Sequence, residues 1–76
     1  MIPEIGDITY VTTSDKTADK CKVLEWFLQF PLKIQVESLN TGLRYDVYPE
    51  WHCYKTEEEA VQAAQKYQDR YEDLIY

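Results

Sequence analysis

Two stretches of strict alternation, separated by a turn signal, constrain this chain more than any other feature. Leu32, Ile34 and Val36 fall on one side of an extended segment and Lys33, Gln35 and Glu37 on the other, after which Leu43, Tyr45 and Val47 alternate with Arg44, Asp46 and Tyr48. A period of two is the mark of a strand with one buried face. Between the runs, Asn40, Thr41 and Gly42 supply turn chemistry, and Gly42 accepts the positive φ that a tight connection needs. The pair reads as a β-hairpin, and the rest of the chain must supply whatever covers its apolar side.

The cover is written at the C-terminal end. Thr56 is followed three positions on by Glu59, the spacing of a reciprocal capping box, so a helix is expected to begin there. Ala60, Val61, Ala64, Tyr67, Tyr71, Leu74 and Ile75 form its apolar stripe, while Glu57, Gln62, Lys66, Asp69, Arg70 and Asp73 largely occupy the other side. Upstream of the hairpin, β-branched and aromatic content over residues 8–13 predicts a first strand. Thr13, Ser14 and Asp15 can then cap a helix in which Ala18, Cys21, Leu24, Phe27 and Leu28 recur at helical spacing, ending near Phe30 before Pro31. Pro49 interrupts the hairpin, and residues 51–54 read as a short continuation, a bulged extension or a third hairpin strand. The expected fold is a single α+β domain over residues 1–76. It is a small two-layer sandwich in the order β-α-β-β(-β)-α, with a mainly antiparallel sheet and two helices on one face.

Size and charge bound the function. A chain of 76 residues buries only about 60 per cent of the surface its unfolded form exposes, which leaves little room for a deep substrate cleft. Its 14 acidic residues outnumber 8 basic ones, for a net charge of −6. That balance opposes phosphate backbones and anionic lipid surfaces, so neither direct nucleic-acid binding nor membrane attachment is expected. The sheet positions Lys33 and Arg44 are offset by Glu37, Asp46 and Glu50. No apolar run approaches the length of a signal-peptide core or a membrane span, so the cytoplasm is the expected compartment. Cys21 and Cys53 are too few for a disulfide framework and read as reduced, packed thiols.

Chemistry-bearing constellations are sparse. His52 and Cys53 are adjacent, but neighbours on an extended segment point to opposite faces and cannot converge on one atom. One histidine and two separated cysteines fall short of a zinc site, and with only Gly6 and Gly42 there is no phosphate-cradling loop. No catalytic residue, metal or cofactor is assigned.

The aromatic inventory points elsewhere. Two tryptophans, two phenylalanines and seven tyrosines are more than a core this thin can enclose. Tyrosine and tryptophan give large contact area with a polar tip and are enriched at interfaces, which makes Tyr48, Trp51 and Tyr54 the candidate contact patch. Glu57, Glu58, Asp69 and Asp73 on the last helix are candidate flanking charges that could stand in for phosphates against a basic groove. The expectation is a non-enzymatic, acidic protein-binding module, in the manner of small phage or mobile-element inhibitors that mimic nucleic acid, docking on the basic surface of a nucleic-acid-binding protein. The alternative is a self-associating structural or accessory subunit, a homodimer pairing spare aromatics across a two-fold axis.

Overall fold

The computed structural model describes residues 2–75 of the chain, with side chains described as far as Lys66. Its elements run β1 (Ile8–Thr12), β2 (Ala18–Phe27), β3 (Lys33–Ser38), β4 (Arg44–Val47), α1 (Pro49–His52), β5 (Cys53–Tyr54) and α2 (Glu57–Ile75). The strands make one five-stranded sheet in the order β4-β3-β2-β1-β5, with every neighbouring pair antiparallel. The class is α+β, as the alternation and the capping signal imply.

The hairpin forms from β3 and β4, with Ile34 opposite Val47 and Val36 opposite Tyr45. Gly42 closes it at φ +76° and donates its N–H to the Ser38 carbonyl at 2.9 Å. At the start of α2, the Thr56 hydroxyl accepts the Glu59 N–H at 3.2 Å, a cap of the kind worth about 1 kcal/mol.

The helix expected over residues 18–30 is instead β2, the central strand. Lys20 and Lys22 are exposed while Cys21 and Val23 are buried, a period of two. A register shift between Val23 and Glu25 then brings Trp26 opposite Ile34 on the inner face. The bulge lengthens the inward spacing from two to three; of the residues at helical spacing only Cys21 is buried, while Ala18, Leu24 and Phe27 are half-buried, so that stripe is not the face the chain buries. The tertiary reason is stronger: β1 and β3 both take their hydrogen bonds from β2, and a helix there would leave both edges unpaired. The observed order is therefore four strands, a short helix, a strand and a long helix.

Register and burial define two unlike faces. Val11, Cys21, Val23, Ile34, Val36 and Cys53 form the inner cluster, with Trp26, Tyr45 and Val47 packed against it. α2 lies over β1, β2 and β5, where the small side chains of Ala60 and Ala64 are buried and allow close approach of helix to sheet. The cover is thus one long helix; α1 is a single turn that touches β1 and β5. The apolar-stripe positions Tyr67, Tyr71, Leu74 and Ile75 lie outside the residues whose side chains are described.

A polar cluster sits on the inner face at the β2–β3–β4 end of the core. Tyr45 Oη donates to Asp19 Oδ2 at 2.6 Å and Ser38 Oγ to Asp19 Oδ1 at 2.8 Å. Asn40 Nδ2 reaches Oδ1 at 3.2 Å and Cys21 Sγ reaches Oδ2 at 3.4 Å. Ser38 Oγ in turn accepts the N–H groups of Asn40 and Thr41, so Asp19 ties the hairpin turn to the central strand.

Candidate functional site

Pro49 does interrupt the ladder, and it does so by opening a helix. Its ring suits the first helical position, where a backbone N–H is not needed. The one turn that follows carries the chain from β4, at one edge of the sheet, to β5, which pairs with β1 at the other. Residues 51–54 therefore do not continue the hairpin: Trp51 and His52 belong to α1, and only Cys53 and Tyr54 are strand.

This crossing assembles the aromatic patch. Trp51 is 44 % exposed and Tyr48 half-buried. Their ring centroids are 5.3 Å apart at an interplanar angle of 63°, the edge-to-face arrangement favoured by ring quadrupoles. The Lys33 ammonium stands 5.9 Å from the centre of the Tyr48 ring and 4.0 Å from Asp46 Oδ2. Tyr54 is half-buried, opposite Tyr10 in the β1–β5 ladder, and its hydroxyl donates to the Trp51 carbonyl at 3.4 Å. Trp51 is thus an exposed plate held from behind by Tyr48.

Acidic residues flank it in the sequence. Glu50 is exposed on α1, and Glu57 and Glu58 are exposed in the first turn of α2, where they also complement the helix dipole. Asp69 and Asp73 lie outside the residues whose side chains are described. On the open face of the sheet the charges are mixed. Arg44 lies 3.6 Å from Glu37, and Lys33 pairs with Asp46, so the two sheet bases weighed for nucleic-acid contact each meet a carboxylate.

The thiols and the histidine sit in structural surroundings. His52 Nδ1 lies 3.0 Å from Thr12 Oγ1, and burial holds its pKa below the ordinary imidazole value. Burial pushes the Cys21 thiol up to about 12, although the Tyr45 hydroxyl acts in the opposite direction; burial also raises Cys53. A thiolate is the reactive form, so neither sulfur has the character of a nucleophile. Among the described residues, no three His, Cys, Asp or Glu side chains are placed to hold a metal ion. Iodoacetamide at pH 7.5 will alkylate Cys21 at least about a hundredfold more slowly in the folded protein than in urea, given that the thiolate fraction falls about tenfold per pKa unit, and Cys53, raised in the same direction, will also be slowed. Rapid labelling of one thiol in the native state, read by intact mass, would restore a thiol enzyme to consideration.

One pair of exposed residues has no counterpart among the sequence candidates. Leu28 is 86 % exposed and Phe30 is 101 % exposed, both in the β2–β3 connection. At helical spacing Leu28 is expected to pack; in the strand-to-strand connection it and Phe30 are exposed instead. Pro31 ends a helix or a strand alike, so it carries no signal that separates packing from projection here. Comparison with known proteins finds no matching family model, no similar curated protein and no similar solved structure.

No described helix is long and apolar enough to cross a membrane.

Proposed function

We propose that this chain is a protein-binding module without catalytic chemistry, which docks through Trp51 and its flanking carboxylates onto a basic protein surface. The observation that carries this reading is the mounting of Trp51: a large side chain left 44 % exposed yet fixed in orientation by Tyr48. A rigid aromatic loses little conformational entropy on binding and is the residue type most enriched at interface hot spots. Glu50, adjacent to Trp51, and Glu57 and Glu58, in the first turn of the next helix, are exposed negative charges that favour a basic partner, and the carboxylates take the place that phosphates occupy in the groove of a nucleic-acid-binding protein. The burial of Cys21 and Cys53 and the hydrogen bonds that occupy the half-buried Asp19 support a reading without chemistry.

The test is capture of a partner from lysate of the source cells at low and at high salt, with the wild-type chain, Trp51→Ala and Glu58→Lys as baits. Trp51→Ala is expected to weaken capture by at least about 30-fold, a hot-spot loss of roughly 2 kcal/mol. Glu58→Lys is expected to weaken it several-fold at low salt and less at high salt, because screening shortens the reach of surface charge. A partner retained equally by all three baits at both salt concentrations removes this docking surface.

A further inference from the structure

We infer that the β2–β3 tip, Leu28 and Phe30, is the insertion anchor of the docking surface, and that it seats in an apolar pocket with a basic rim on a partner protein. The inference rests on the reading of the chain as a docking module and deepens it by placing the anchor. Leu28 and Phe30 are 86 % and 101 % exposed, whereas Trp26, one residue before Phe27 on the same strand, is packed against the core and donates its indole N–H to the Pro3 carbonyl at 3.0 Å. The hairpin therefore has an inner seat for aromatic residues that Phe30 does not take. Two large exposed apolar side chains two positions apart in one connection are the form an anchor takes before it is buried by a partner.

The tip and the Trp51 patch share one end of the sheet. Lys33, two residues after Pro31, sits over the Tyr48 ring, and Tyr48 contacts Trp51. The charges at this end identify the occupant. Glu25 and Asp46 lie one register step from Trp26 and Val47, Glu4 follows the carbonyl that receives the Trp26 indole, and Glu50 precedes Trp51. Against these carboxylates stands Lys33, already paired with Asp46. An anionic lipid surface would be repelled by such a rim. A second copy meeting this end about a two-fold axis would set carboxylate against carboxylate. A protein pocket rimmed by Lys or Arg satisfies both the apolar tip and the charge around it.

The test uses a phage-displayed random dodecapeptide library selected on the immobilised full chain, followed by affinities of the synthesised winners for the wild type, Phe30→Ser, Leu28→Ser and Trp51→Ala. Enriched peptides are expected to combine a large apolar residue with Lys or Arg and to lose at least tenfold in affinity with either tip variant. Because both tip side chains are exposed, circular dichroism of the variants is expected to match the wild type. Peptides that lose affinity with Trp51→Ala but not with the tip variants overturn the inference and leave the docking reading standing. Peptides indifferent to all three variants, or no enrichment over bare support, remove both. Enrichment of acidic or purely polar peptides overturns the inference, as does binding to vesicles of phosphatidylcholine with phosphatidylglycerol. Self-association in sedimentation that Phe30→Ser abolishes assigns the tip to a second copy and also overturns it.

Discussion

Ile34→Ala will destabilise this protein by about 3 kcal/mol, the middle of the range for truncating a fully buried aliphatic side chain. Ile34 is 0 % exposed and stands between Trp26 on β2 and Val47 on β4, so its removal opens a cavity between strands that cannot collapse without breaking register. In a domain this size the change corresponds to a fall in Tm of roughly 12–24 °C. Leu43→Ala is the matched control. The alternation places Leu43 on the same side as Tyr45 and Val47, but the structure leaves it 66 % exposed before β4 begins. Its truncation is expected to cost less than about 0.5 kcal/mol. Equal losses for the two variants in urea titrations would mean that the hairpin does not sit on the sheet as described.

Asp19→Ala is expected to cost about 2–3 kcal/mol at neutral pH, since it strips the acceptor from a charge-assisted cluster and leaves partly buried donors without a partner. Burial alone would raise the Asp19 pKa, but hydrogen bonds from Tyr45, Ser38, Cys21 and Asn40 outweigh it and hold the carboxyl below its ordinary value. The unfolded chain therefore takes up the proton first as pH falls. The stabilisation from Asp19 is complete above the unfolded value of about 4 and is lost as pH drops through the lower folded value. Asp15, held down by the Thr13 and Thr17 hydroxyls, adds an acid dependence of the same sign that survives the substitution. Stability of the wild type will thus fall more steeply than that of Asp19→Ala between about pH 5 and pH 2. Tyr45→Phe removes the 2.6 Å donor, and in the double variant its effect is expected to be much smaller than in the wild type. Parallel pH profiles, or additive losses, would show that the cluster does not act as a unit.

Ile34 and Asp19 belong to the platform that carries the candidate site. The Asp19 cluster holds the β3–β4 turn to β2, and Ile34 sits near the other end of the same strands, where the β2–β3 connection carries Leu28 and Phe30 and β4 leads into the turn of Trp51. Variants at the exposed tip and variants in the platform should therefore separate cleanly: the first change binding and leave stability, and the second do the reverse.

Part of the candidate site was legible because it depends on local chemistry. Tyr48 and Trp51 flank Pro49, a residue that ends a ladder whatever its surroundings. Glu57 and Glu58 follow a threonine that caps a helix within three residues. Leu28 and Phe30 were not legible, because whether they pack or project depends on whether β2 is a helix or a strand. That choice is made by β1 and β3 on either side of it.

By itself the sequence determined what short-range forces decide: the alternating faces of β3 and β4, the turn at Gly42, the cap of α2, and the excess of negative charge. Tertiary structure alone decided the state of residues 18–27, the pairing of β5 with β1 across the sheet, and the projection of the β2–β3 tip. The reason lies in the bulge after Val23. It breaks the alternation of β2 midway, leaving a second apolar set at helical spacing equally readable, and only the hydrogen bonds offered by two neighbouring strands resolve which period the chain obeys.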